Sequence, residues 1–129
     1  MDLEQLRKWF AIHRQKIVED FFSFLMIQSI SADPLYKEQC LHAAEFLTNY
    51  LEQLGMEVQH LIGPGLPVVF AEHKGSKKAP TVLIYHHYDV QPVDPIELWN
   101  SDPFHPRQEG DLIYARGAEK PQGIFGQLI

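Results

Sequence analysis

The sequence predicts an α/β fold in which two N-terminal helices are followed by a mixed sheet. Three observations lead there. Through residues 3–54, apolar residues recur at spacings of three, four and seven, as on one face of a helix. After Gly55 the period drops to two, as in half-exposed strands. Thr81-Val82-Leu83-Ile84-Tyr85 is then almost wholly apolar, the pattern of a strand covered on both faces of a sheet. Helices and strands in that order suit a sheet flanked by helices.

The first helix is expected over residues 3–29, with a break near His13 left open. Leu6, Phe10, Ile17, Phe21, Phe24 and Leu25 form its apolar stripe. Ser31-Ala32-Asp33-Pro34 stops it, because proline cannot continue a helix. The second helix covers 35–54, burying Leu41, Ala44, Leu47, Tyr50, Leu51 and Leu54 with Phe46 at the edge, and Gly55 suits a C-terminal cap.

A strand over 56–61 follows, then a Gly63-Pro64-Gly65 turn and a strand over 67–73 in which Val68, Val69 and Phe70 are expected to be buried. Residues 75–80 are a polar loop. The proline-rich segment 90–110 is long for a connection, and long ordered loops commonly carry function. A short strand over 112–115 leads to Arg116-Gly117.

Composition narrows the function classes. At 129 residues, 45% hydrophobic and 22% charged, the chain suits one soluble globular domain. The formal charge of −6, with no cluster of Lys and Arg, disfavours nucleic acid. No apolar run is long enough for a bilayer, and the acidic opening does not resemble a signal peptide. The single cysteine, Cys40, excludes an internal disulfide and is read as a small buried hydrophobe in a helix. A cytoplasmic location is expected.

The chemistry-bearing stretch is Tyr85-His86-His87-Tyr88-Asp89-Val90-Gln91-Pro92. The end of an apolar strand is where sites form in open α/β sheets. His87 and Asp89 share one face of such a strand, while His86 points to the other. A neutral imidazole is a good zinc ligand, and a carboxylate beside it fixes the ring. On spacing alone, a hydrogen-bonded structural histidine is the commoner outcome.

The stretch resembles the His-x-Asp signature of the two-zinc exopeptidases that include carnosinase-like dipeptidases, succinyl-diaminopimelate desuccinylase and acetylornithine deacetylase. Trp99-Asn100-Ser101-Asp102-Pro103-Phe104 resembles that family's Trp-x-x-x-Pro-Phe segment, and residues 112–118 resemble the approach to its next metal motif. The resemblance favours the carnosinase-like branch. It implies that residues 1–129 are a truncated N-terminal part of an α/β/α metallopeptidase catalytic domain. It assigns His87 as a metal ligand and Asp89 as the catalytic-site residue that orients it. It also implies two zinc ions and a small peptide or acyl-amino-acid substrate, with a homodimer as an open partner. Trp99, Phe104 and Arg116-Gly117 are read as structural, and His13, His42, His60, His73 and His105 as solvent-facing or hydrogen-bonded.

The chain departs from that pattern after Arg116-Gly117. The family continues to an aspartate that bridges its two metals, whereas here a gapless register puts Lys120 at that place, with Glu119 beside it. A register with two residues deleted leaves no bridging residue. Two unit charges about 4 Å apart interact by roughly 4 kcal/mol at an effective dielectric of about 20, so an ammonium there opposes a second cation. The family's general-base glutamate and later ligands are also absent from the sequence. Zinc binding is therefore expected to be weak or partial, and the chain inactive by itself. The alternative is a non-catalytic binding or dimer-forming module.

Overall fold

The first helix begins where Asp2 and Gln5 close a capping box. The Asp2 carboxylate accepts from the Gln5 amide at 2.8 Å, and the Gln5 side chain accepts from the Asp2 amide at 3.0 Å. Two backbone donors that a helix start leaves orphaned are thereby satisfied. The structure is a computed structural model and describes residues 2–118. Helix α1 (Leu3–Leu25) runs unbroken past His13, whose Nδ1 donates to the Trp9 carbonyl at 2.7 Å.

Only the second half of the expected stripe is buried. Ile17, Phe21 and Leu25 face the core, whereas Leu6 is 48% exposed, alongside exposed Leu3, Trp9 and Ile12. No second element covers the first turns among the described residues. The helix also stops short of residue 29. Ile27, Ser29 and Ile30 are buried beyond its end, and the Val90 amide donates to the Ser29 carbonyl at 2.9 Å. Tertiary pairing of this backbone replaces the helical ladder there.

A 3-10 turn at Pro34–Tyr36, capped by the Asp33 carboxylate, leads into α2 (Lys37–Gln53). Its buried face is Cys40, Ala43, Ala44, Leu47 and Leu51. The small side chains turn inward, while Leu41 and Leu54, expected in the core, lie exposed at the rim. Gly55, at φ +80, ends the helix: the Met56 amide donates to Leu51 and the Gly55 amide to Glu52, satisfying the last carbonyls.

Strands β1 (Glu57–Leu61) and β2 (Val68–Glu72) form an antiparallel hairpin with Glu57 opposite Glu72 and Leu61 opposite Val68. The Thr48 hydroxyl on α2 meets His60 Nε2, so the hairpin lies against that helix. The expected continuous burial of Val68, Val69 and Phe70 is not found. Val68 and Phe70 are exposed and Val69 is half-buried, because a two-stranded sheet with one covered face buries alternate residues.

The largest correction concerns residues 81–85. They form no strand, and Val82 is 78% and Leu83 84% exposed. A strand buried on both faces needs neighbours on each edge, and among the described residues none pairs with it. Strands β3 (Arg107–Glu109) and β4 (Leu112–Tyr114) make a second antiparallel hairpin. Gly110 sits at φ +60 in its turn, a conformation that tight hairpins draw from glycine.

The architecture is thus α/β: two helices with small antiparallel sheets and, among the described residues, parallel pairing limited to one bridge between Ile30 and Val90. Phe21, Leu25 and Leu47 form the core, with Phe24, Phe46, Tyr50, Tyr88 and Ile113 packed around them. Phe24 and Phe46 rings lie 5.6 Å apart, joining the two helices. No helix among the described residues is long and apolar enough to cross a membrane.

Candidate metal centre

The His-Tyr-Asp-Val segment is placed by the link between the helices. Residues 29–31 run beside 88–90, fixed by the parallel bridge at Ile30 and Val90. Ser29, almost fully buried, donates its hydroxyl to the Tyr88 carbonyl at 2.9 Å, and its own carbonyl accepts from the Val90 amide. The Tyr88 hydroxyl donates to the Pro67 carbonyl at 2.7 Å, tying the segment to the start of β2. Burial raises the Tyr88 phenol pKa above its ordinary value, with smaller contributions from Cys40 and Asp89.

His87 and Asp89 come together on this frame. The Nδ1 atom of His87 lies 3.0 Å from the Asp89 carbonyl oxygen and 3.1 Å from its Oδ1. The carbonyl oxygen and the ionised carboxylate oxygen are both acceptors, so Nδ1 is the donor in this contact. The His87 side chain is 52% exposed. This is the tautomer and orientation seen when a carboxylate steadies a metal-ligating imidazole. The other oxygen of Asp89 accepts from the Ser31 hydroxyl.

The donor set therefore suits one ligand to a divalent cation. Among the described residues no group of three or more His, Cys, Asp or Glu converges on a common point. His86 has its Nε2 buried without a hydrogen-bond partner among the described residues. His42, His73 and His105 are exposed. Lys120 and Glu119, which bear on a second cation, lie outside the described residues.

Behind the pair, the long loop is pinned by packing. Trp99 Nε1 donates to the Val93 carbonyl at 2.9 Å, and the Arg116 guanidinium stacks 4.8 Å above the Trp99 ring. The Arg116 amide donates to the Pro103 carbonyl at 2.7 Å, and Pro103 is buried while Phe104 is half-buried. Gly117 turns at φ +84, where a Cβ would lie 3.0 Å from a Val90 methyl. Arg116, Gly117, Leu25 and Ser29 wall a shallow recess that opens onto His87 and Asp89.

Sequence reasoning read Ser31 only as part of a helix stop and gave Ser29 no role. Their alternation around an apolar Ile30 was the available signal, since it sets both hydroxyls on one side of an extended segment.

No protein-family model matches the chain. It is similar to succinyl-diaminopimelate desuccinylase of Xylella fastidiosa, 34% identical over 85 residues that make up 66% of this chain and 22% of that protein. It is 28% identical over 131 residues to a Cys-Gly metallodipeptidase of Candida albicans, covering 89% of this chain and 27% of the relative. Human carnosine dipeptidase 1 superposes with a TM-score of 0.82 at 25% identity, over 90% of this chain and 27% of that one. A metallo-carboxypeptidase of the M20 family from Sulfolobus solfataricus matches with a TM-score of 0.70 at 42% identity, over 79% of this chain and 23% of that one. The homologues and structural neighbours of this chain are M20 metallopeptidases. Metallodipeptidases are prominent among these M20 relatives, and the chain spans about a quarter of the length of the curated proteins it matches.

Proposed function

We propose that residues 1–129 correspond to the N-terminal part of an M20 metallopeptidase catalytic domain, and that His87 is one of its metal ligands. The reaction would be hydrolysis of the amide bond of a dipeptide or an acyl-amino acid, carried out in the cytoplasm by a longer polypeptide. The observation that carries this reading is the His87–Asp89 pair, with Nδ1 held by the Asp89 carbonyl and carboxylate on a half-exposed ring. His87 Nε2 would hold zinc, and Asp89 would keep the ring in the ligating tautomer. A zinc ion supplies Lewis-acid polarisation of a carbonyl and makes water more acidic. Among the described residues the chain contributes one ligand and its support, and on this reading residues 1–129 alone would bind zinc weakly and turn over no substrate. Measuring zinc-dependent dipeptide hydrolysis by the longer polypeptide tests this: His87→Ala should abolish it, and undiminished turnover would overturn the assignment.

A second reading is favoured by the exposed apolar residues 81–85, which suit a module that associates with another chain, including a copy of itself. Zinc analysis together with light scattering separates the two. Zinc bound to a monomer in a His87-dependent way supports the first, whereas a metal-free dimer supports the second.

A further inference from the structure

We infer that Ser31 is the positioning residue that locks Asp89, and through it the His87 ring, in the metal-ligating tautomer. This deepens the proposed function and rests on its reading of His87 as a ligand.

A carboxylate two residues from a histidine has several rotamers and need not present an oxygen to the ring. Asp89 is partly exposed, and packing alone does not confine it. What confines it is a hydrogen bond at each oxygen: one accepts from His87 Nδ1 and the other from the Ser31 hydroxyl. The serine is placed by the backbone. Ile30 bridges Val90 in parallel register, and Ser29 contacts Tyr88 and Val90. Ser31, one residue past the bridge on its own segment, meets the side chain of Asp89, one residue before the bridge on the other. The link between the helices therefore reaches the ring through a continuous relay from hydroxyl to carboxylate to imidazole.

Removing the hydroxyl leaves the carboxylate free to turn to solvent. The ring then keeps only the Asp89 backbone carbonyl as an acceptor at Nδ1, so its preference for the Nδ1–H tautomer weakens. Groups that support a ligating histidine in this way commonly contribute about 10–100-fold to metal affinity.

The test uses the full chain, with nitrogen-15 NMR of the histidine rings in alkaline buffer and zinc chloride as the only added ligand. In the wild type, His87 should show the Nδ1–H tautomer. Ser31→Ala should move it toward a mixture and weaken zinc binding about 10–100-fold, while core amides such as Phe21 and Leu47 keep their shifts. Ser31→Thr, which restores a hydroxyl, should restore both. An unchanged tautomer in Ser31→Ala overturns the role of Ser31, as does failure of the threonine to rescue. A wild-type Nε2 signal that zinc does not move overturns the ligand reading of His87 instead. If Ser31→Ala disturbs the core amides, Ser31→Cys, which keeps the side-chain volume and replaces the hydroxyl with a weak donor, takes its place, and an unchanged tautomer in that variant overturns the role of Ser31.

Discussion

Replacing Gly117 with alanine tests how tightly the recess wall is built. At φ +84 the residue lies where an L side chain strains against its own backbone, at a cost of about 1–2 kcal/mol. A methyl group there would also meet Val90 Cγ1 at 3.0 Å and Leu25 Cδ2 at 3.5 Å. Neither neighbour yields freely: Val90 is held through its backbone to Ser29, and Leu25 is buried in the core. Crowding a packed site of this kind costs about 1–3 kcal/mol more. Reduced freedom of the unfolded chain returns about 0.4–1 kcal/mol, so the net expectation is a loss of about 3 kcal/mol, within limits of about 1 and 4.6. At a urea dependence of about 2 kcal/mol per molar, the unfolding midpoint falls by roughly 1–2 M. Gly55→Ala is the internal control. Its φ of +80 imposes the same backbone strain, but nothing lies within 4 Å of the added Cβ. Its loss should be only about 1 kcal/mol. Equal midpoint shifts for the two variants would show that contact with Val90 contributes nothing.

Three further outcomes are expected. Burial, and then the Asp89 carboxylate, push the Cys40 thiol above its ordinary pKa. The unfolded state therefore ionises first, so this contribution to stability is complete below about pH 8.5 and is lost as pH rises through the folded value. Urea midpoints of the wild type should fall more steeply than those of Cys40→Ala between about pH 8 and pH 10, and parallel curves would refute the burial argument. Asp2→Ala removes the capping box and should lower far-UV helical signal by destabilising the first turns by about 1 kcal/mol; an unchanged spectrum would mean the cap is not formed in solution. Ile84→Lys, on an exposed apolar segment, should slow aggregation measured by light scattering while changing stability by no more than about 0.5 kcal/mol. A large loss of stability would show that this segment is packed.

The helices and the turns between elements were legible because local chemistry decides them. Gly55 stops α2 by backbone geometry, and the change of period after it marks a strand whatever surrounds it, whereas α1 ends at Leu25, well before the expected stop at Pro34. Burial was less legible, because it depends on partners. The same apolar pattern that buries Phe21 leaves Leu6 exposed, since only the later turns of α1 meet α2 and the loops. Residues 81–85 show this most clearly: their composition suits an interior strand, yet no described strand lies alongside. At the candidate site, the proximity of His87 and Asp89 was readable from spacing. The part played by Ser29 and Ser31 was not, because it arises from a pairing between segments nearly sixty residues apart in sequence.

The half-covered first helix has a consequence for how the molecule comes apart. Amides near Leu6 and Trp9 are protected only by their own turns, whereas those near Phe21 and Leu25 open only when the core does. Hydrogen exchange along this one rod should therefore rise from brief lifetimes at Asp2 to long ones near Leu25. Protons in the early turns would wash out by fraying, and those in the last turns would report the whole cooperative transition.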